Sequence, residues 1–225
     1  MIYSDNCAGQ NKNARIISLY VYLVGRNMFD EICHVFPITG HTMLPCDRDF
    51  GDIERKLRKM SAVYVPSDYV KCIQDSRKIN PFIVNEMTST DFVSMDDMLK
   101  KLTMRKTATN GEKVDSRNIT QLRITKENPM ILHFRHTHNA DESWNSVSLA
   151  KRGRQLKGLY DFELSKKYNS PRSLPKEKVN DVLSLLDYVP PLYHEFFTSI
   201  AIDNKSKSGN VEMLDEAEHD EAFND

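Results

Sequence analysis

No apolar run in the 225-residue sequence is long enough to span a bilayer, and its first residues lack the charged-then-apolar pattern of a secretory signal. The longest apolar stretch, residues 16–24, is short and bracketed by Arg15 and Arg26. The four cysteines, Cys7, Cys33, Cys46 and Cys72, contain no C-x-x-C pair. A disulfide framework is therefore not expected, and reduced intracellular thiols are. A zinc site can be drawn from Cys7, Cys33, His34, His41 and Cys46, but its spacing matches no common zinc pattern. No internal repeat is visible. The expectation is an intracellular protein with no membrane partner.

What is present is charge, unevenly spread. Mean hydropathy is -0.54, yet 40% of residues are hydrophobic, enough for one domain or one with an appendage. The formal net charge of -1 hides an asymmetry. Residues 100–178 carry 18 Lys and Arg against 8 Asp and Glu, an excess of 10, while residues 212–225 carry 7 acids and no Lys or Arg. The basic stretch has the composition of a polyanion-binding surface, and the same excess would also serve solubility alone. The tail reads as a solvated acidic end. The basic runs at Arg55–Lys59 and Lys151–Arg154 suggest nuclear placement.

The most informative stretch is the first. Ile2-Tyr3 runs into Ser4-Asp5-Asn6-Cys7, a polar turn carries Gly9, and an apolar helix begins near Ala14. A strand that ends in a carboxylate and hands over to a helix places that carboxylate at the C-terminal edge of a sheet, where open α/β folds bind ligands. Asp5 is the first candidate for chemistry, although Asp, Asn and Gly also simply make turns. Asn6, Gln10, Asn11 and Asn13 crowd beside it. Such amides suit a site that orients water, metal or phosphate oxygens, and Asn11 or Asn13 would equally cap the helix.

Further along, apolar periodicity predicts a helix over 14–28 and a strand over 31–38 limited by Pro37, hence a parallel βαβ unit. A helix follows with Asp47 at its N-cap and Asp49 in the first turn. Short β-prone runs at 62–65 and 80–84 flank a helix over 67–76, and another short helix covers 94–102. Residues 107–116 read as a polar connector. Strands at 119–124, 130–134 and 144–149 form a small antiparallel sheet bearing Arg123, Arg135, His133, His136 and His138. The histidines read as surface or nucleic-acid contacts. Arg152 and Arg154 follow in a basic run, and a helix over 176–187 ends at Pro190-Pro191.

Ser4-Asp5-Asn6-Cys7 with Gly9-Gln10-Asn11-Lys12-Asn13, then Gly40-His41-Thr42 and Asp47-x-x-Phe50-Gly51, resembles an uncharacterised family of transposon-derived proteins. That family has a ribonuclease H-like core of the kind found in transposases and integrases. The specific part of the resemblance covers residues 2–60. It implies metal-dependent phosphoryl transfer on DNA, with carboxylates holding two Mg2+ or Mn2+ ions. Asp5 would match the carboxylate shared between the metals and Asp47 the last of the set. His41 would touch the scissile phosphate or fix Asp47.

Such a core begins with a strand bearing the first carboxylate, and Met1 falls almost on the second catalytic strand. The expected fold is therefore α/β: a truncated ribonuclease H-like core over 1–62, a mixed helical connection over 63–106, a basic α+β region over 107–202 and a disordered acidic tail over 203–225. The expected function is ancestral DNA strand cleavage and transfer, inactive in the chain alone, with another chain as a candidate to complete the sheet. The rival is a non-catalytic nucleic-acid-binding protein that uses residues 100–178. A third reading is a cysteine hydrolase built on Cys7 and His41.

Overall fold

The computed structural model describes residues 1–38, 40, 44–152, 158, 160–171 and 174–205. In chain order these form β1 (Ile2–Tyr3), α1 (Ala8–Asn11), α2 (Ala14–Gly25), β2 (Glu31–Val35), α3 (Pro45–Leu57), α4 (Pro66–Asp75), α5 (Asp96–Leu99), β3 (Gln121–Thr125), β4 (Ile131–Arg135), β5 (Asn145–Ser148), α6 (Lys176–Ser184) and α7 (His194–Lys205). The chain is mixed α/β with one five-stranded mixed sheet in the order β1-β2-β3-β4-β5.

Two compact units divide it. The first joins Met1–Thr42 to Val93–Lys166, and the second joins Met43–Phe92 to the described residues between 167 and 205. This differs from the expected boundaries at 62 and 106. The reason is strand pairing: β2 bonds to β3 antiparallel from Glu31↔Thr125 to Val35↔Gln121. The strands after residue 119 thus extend the sheet that β1 and β2 begin and do not build a separate one. Residues 43–92 are a helical excursion between paired strands.

In the first unit α2 forms because Asn13 caps it and an apolar run fills it. The Asn13 carboxamide oxygen accepts from Ile16 N at 3.0 Å, satisfying one of the helix's orphan donors. Ile17, Val21 and Val24 are fully buried against a sheet face that supplies Ile32, Phe36, Leu122, Ile124, Leu132, Phe134 and Val147. α2 ends at Gly25, where the Tyr160 ring comes so close that a Cβ would sit 2.5 Å from Cδ1. Only glycine fits there. β1 pairs with β2 in parallel, Ile2↔His34 and Tyr3↔Val35, so β1-α2-β2 is the expected βαβ unit. β2 stops at Val35, before Pro37, as the missing donor requires.

The second unit is helical. α3 packs on α4 and α6 on α7, and no residue of α3 or α6 is fully buried. Arg77 ties it together, donating to Asp52 Oδ2 at 2.8 Å and to Asp49, with its guanidinium 4.6 Å from the Phe82 ring. The β-prone runs at 62–65 and 80–84 are not strands. They have no partner strand in this helical setting, and tertiary context overrides propensity.

Candidate functional site at the end of the first strand

β1 ends where predicted, and Ser4 N extends its pairing to Val35 O at 3.4 Å. Asp5 follows on the exposed turn. Its Oδ1 accepts from Asn11 Nδ2 at 2.5 Å and from Cys7 N at 3.3 Å. Asn13 faces the other way, with Nδ2 donating to the carbonyls of Gly9 and Gln10. The crowded amides therefore divide their work: Asn11 orients the carboxylate and Asn13 caps α2. Asn6 and Gln10 are exposed.

Beneath this turn lies a buried polar chain that sequence reasoning missed. His34 on β2 faces the core, its Nδ1 2.8 Å from Tyr20 Oη and its Nε2 2.8 Å from Ser4 Oγ. Ser4 Oγ donates to Asp5 O at 3.0 Å. Every hydrogen finds an acceptor when Tyr20 donates to Nδ1 and Nε2–H donates to Ser4, so this tautomer is assigned. In it His34 cannot take a proton from Ser4, which argues against a serine nucleophile. Burial, with Lys12 nearby, pushes His34 down to about 4, so the imidazole stays neutral at physiological pH. Burial likewise raises Tyr20 to about 12.

Lys12 is buried nearby, outside the chain's own hydrogen bonds. It is 2% exposed, donates to Arg117 O at 3.1 Å and lies 4.8 Å from the Phe36 ring centroid. Burial lowers it to about 8 despite the charge of Asp115. The signals were in the sequence. Lys12 stands inside the polar string, and alternation along Glu31–Val35 puts His34 on the same face as Ile32 and Phe36. Cys33 therefore faces the opposite way from His34, so the two cannot share a zinc ion.

Asp47 belongs to the second unit. It is not the N-cap of α3 as expected but its third residue, with Oδ2 accepting from Leu44 N at 2.8 Å. Pro45 at the first helical position shifts the start three residues earlier, with Leu44 as the N-cap. Asp49 is engaged by Arg77. Arg152 is exposed in a turn. His41, Arg154 and the acidic tail beyond residue 205 lie outside the described residues.

The fit to a metal is partial. Hard oxygens at the Asp5 turn are of the kind magnesium or manganese takes, and Asp5 Oδ2 accepts no hydrogen bond among the described residues. One carboxylate with exposed amides suits a loosely held hydrated ion rather than a metal pair. Among the described residues no group of three His, Cys, Asp or Glu side chains is placed to hold a metal ion. Among them, too, no helix is long and apolar enough to cross a membrane.

Residues 1–150 match the family model described as Domain of unknown function (DUF7869). No curated protein and no solved structure matches the chain. The matched residues are two thirds of the sequence, so the chain belongs to that family.

Proposed function

We propose that this member of the DUF7869 family is a transposase-derived protein whose ancestral chemistry is metal-dependent cleavage and transfer of DNA strands. The observation that carries the reading is the parallel β1-α2-β2 unit with Asp5 at the exit of β1. That order and handover are what the resemblance to a ribonuclease H-like core leads one to expect. Asp5 is the carboxylate that would hold Mg2+ or Mn2+, which would stabilise charge on the transferring phosphate, and Asp47, in the second unit, is the other carboxylate that the resemblance implies. The residues of this chain have the supporting tasks. Asn11 fixes the Asp5 carboxylate, and the neutral Ser4–His34–Tyr20 chain anchors the turn from below. β1 is the outermost strand of the sheet, and a further strand, from this protein or another chain, would complete its open edge.

A second reading has its own support: nucleic-acid binding without cleavage, through the basic region 100–178. It is favoured by Arg135 and Arg123 flanking the Trp144 ring, with guanidinium carbons 4.3 and 5.8 Å from its centroid. Part of the basic excess is already engaged inside the fold. Arg105 holds the carbonyls of Ser148 and Ala150, and Lys126 pairs with Asp30. Nuclear placement stays a corollary of either reading.

Both readings are tested by retention of DNA and by nicking of supercoiled plasmid with magnesium or manganese. The expected result is salt-sensitive binding, because neutralised phosphates release counterions. Any nicking should be abolished by Asp5→Asn and by Asp47→Asn. Nicking that survives both substitutions contradicts the site assignment, and absence of DNA binding at low salt contradicts both readings.

A further inference from the structure

The helices of the first unit cover one face of its sheet, and the other face carries a different kind of side chain. Register fixes its rows. Tyr3, Val35, Gln121 and Arg135 are successive partners across β1 to β4. One step along lie Cys33, Arg123, His133 and Ser146, partners across β2 to β5. Partnered residues point to one side of a sheet, and these are the alternates of the buried Ile32, His34, Leu122, Ile124, Leu132 and Phe134. This face is accessible: Tyr3 is 53% exposed, and Arg123, His133, Arg135 and Trp144 are half-buried.

The charges on this face are not equivalent. Arg123 is paired with Glu31, both Nε and Nη2 donating to Oε2. Arg135 has no ion pair among the described residues, and its Nε is buried without a hydrogen-bond partner. A guanidinium that has a buried, unpartnered Nε and no ion pair among the described residues, laid on an indole ring, is an unfinished anion contact. Trp144 beside it offers a flat surface, and Tyr3 lies three strand spacings from Arg135, about 14 Å at ~4.8 Å each. Two aromatic rings with a cation between them, on an open mixed sheet, form a platform on which unpaired bases stack while the cation meets phosphate. A duplex keeps its bases stacked inside and cannot use such rings.

We infer that this sheet face binds single-stranded DNA, with bases stacked on Trp144 and Tyr3 and a phosphate on Arg135. The assignment rests on the reading that the chain handles DNA and narrows it to one face and one form. Trp144 is the sole tryptophan of the chain, so its emission reports the site directly. The experiment titrates the full chain with oligothymidylate, oligouridylate and a duplex of equal length. It follows Trp144 emission for the unlabelled chain and the anisotropy of labelled strands for the variants, with circular dichroism to confirm their fold. Oligothymidylate should quench Trp144 saturably, and the duplex should quench little. Arg135→Gln and Trp144→Ala should each weaken binding roughly ten-fold, Trp144→Phe should retain most of it, and Lys78→Gln should change little. Lys78 is an exposed charge outside residues 100–178.

Binding without quenching, and with Arg135→Gln unaffected, overturns this face while leaving DNA contacts elsewhere in residues 100–178. No binding of any nucleic acid removes the broader reading as well. Preference for the duplex or for oligouridylate overturns the assignment to single-stranded DNA.

Discussion

At its β5 edge the sheet is closed by a strap. Thr109 donates to Ser146 O through both its backbone N and its hydroxyl, Arg105 reaches the carbonyls of Ser148 and Ala150, and Thr103 N bonds Leu149 O at 2.9 Å. At the β1 edge there is no strap among the described residues. β1 is two residues long, Ile2 and Tyr3 are exposed, and its main tie from beneath is the bond between Ser4 and His34. Edge strands invite pairing unless they are covered, charged or very short. One edge is sealed by backbone bonds and an arginine. The other, which leads to Asp5, is anchored by a neutral histidine.

The contrast can be calibrated from the middle of the sheet, where the effect should be largest. Phe134 is fully buried on β4, and Phe134→Ala should cost ~3–5 kcal/mol in chemical denaturation. A loss under ~1 kcal/mol would mean that this core is loosely packed.

The β1 anchor should reveal itself through pH. His34 is lowered from 6.5 to about 4 by burial, so between those values the unfolded chain binds more protons than the folded one. Stability from this group is present above pH 6.5 and falls as pH drops toward 4, by ~3 kcal/mol in all. Denaturation across that window should show the fall in the wild type and a shallower one in His34→Gln. Equal slopes would remove His34 as the anchor.

At the sealed edge, Arg105→Ala should cost ~1.5–3 kcal/mol, because two carbonyls lose a charged donor. It should also raise self-association, detected by sedimentation, by exposing the edge of β5. The smallest effect belongs to the open edge. Ile2→Lys should change stability by less than ~0.5 kcal/mol yet lower any self-association of the wild type, since a charge blunts an edge. Unchanged association would show that β1 is not the pairing surface.

The sequence made the βαβ unit legible because its period changes are abrupt: an apolar helix sits between two short β-prone runs, with Asn13 marking the helix start. The strands after residue 119 were legible as strands, but their pairing to β2 was not. Alternation shows which side chains share a face and says nothing of which strand lies beside which. The buried chain of Ser4, His34 and Tyr20 escaped for a related reason. Each residue has an ordinary local role, and only the folding of β2 against α2 makes them partners. Asp47 was read as a cap and is one in effect, though from the third position, because Pro45 was not counted as the helix start. Arg123, Arg135 and Trp144 were each placed on strands, but the stack among them depends on register.

The central claim is that the Asp5 turn holds a divalent metal ion, and it is tested most directly with paramagnetic manganese on the isotope-labelled chain. At substoichiometric Mn2+ the amide signals of residues 5–11 should broaden first, and Asp5→Asn should abolish the effect. No broadening of residues 5–11, or broadening unchanged in Asp5→Asn, would contradict that site. The DNA-binding reading would then stand without it.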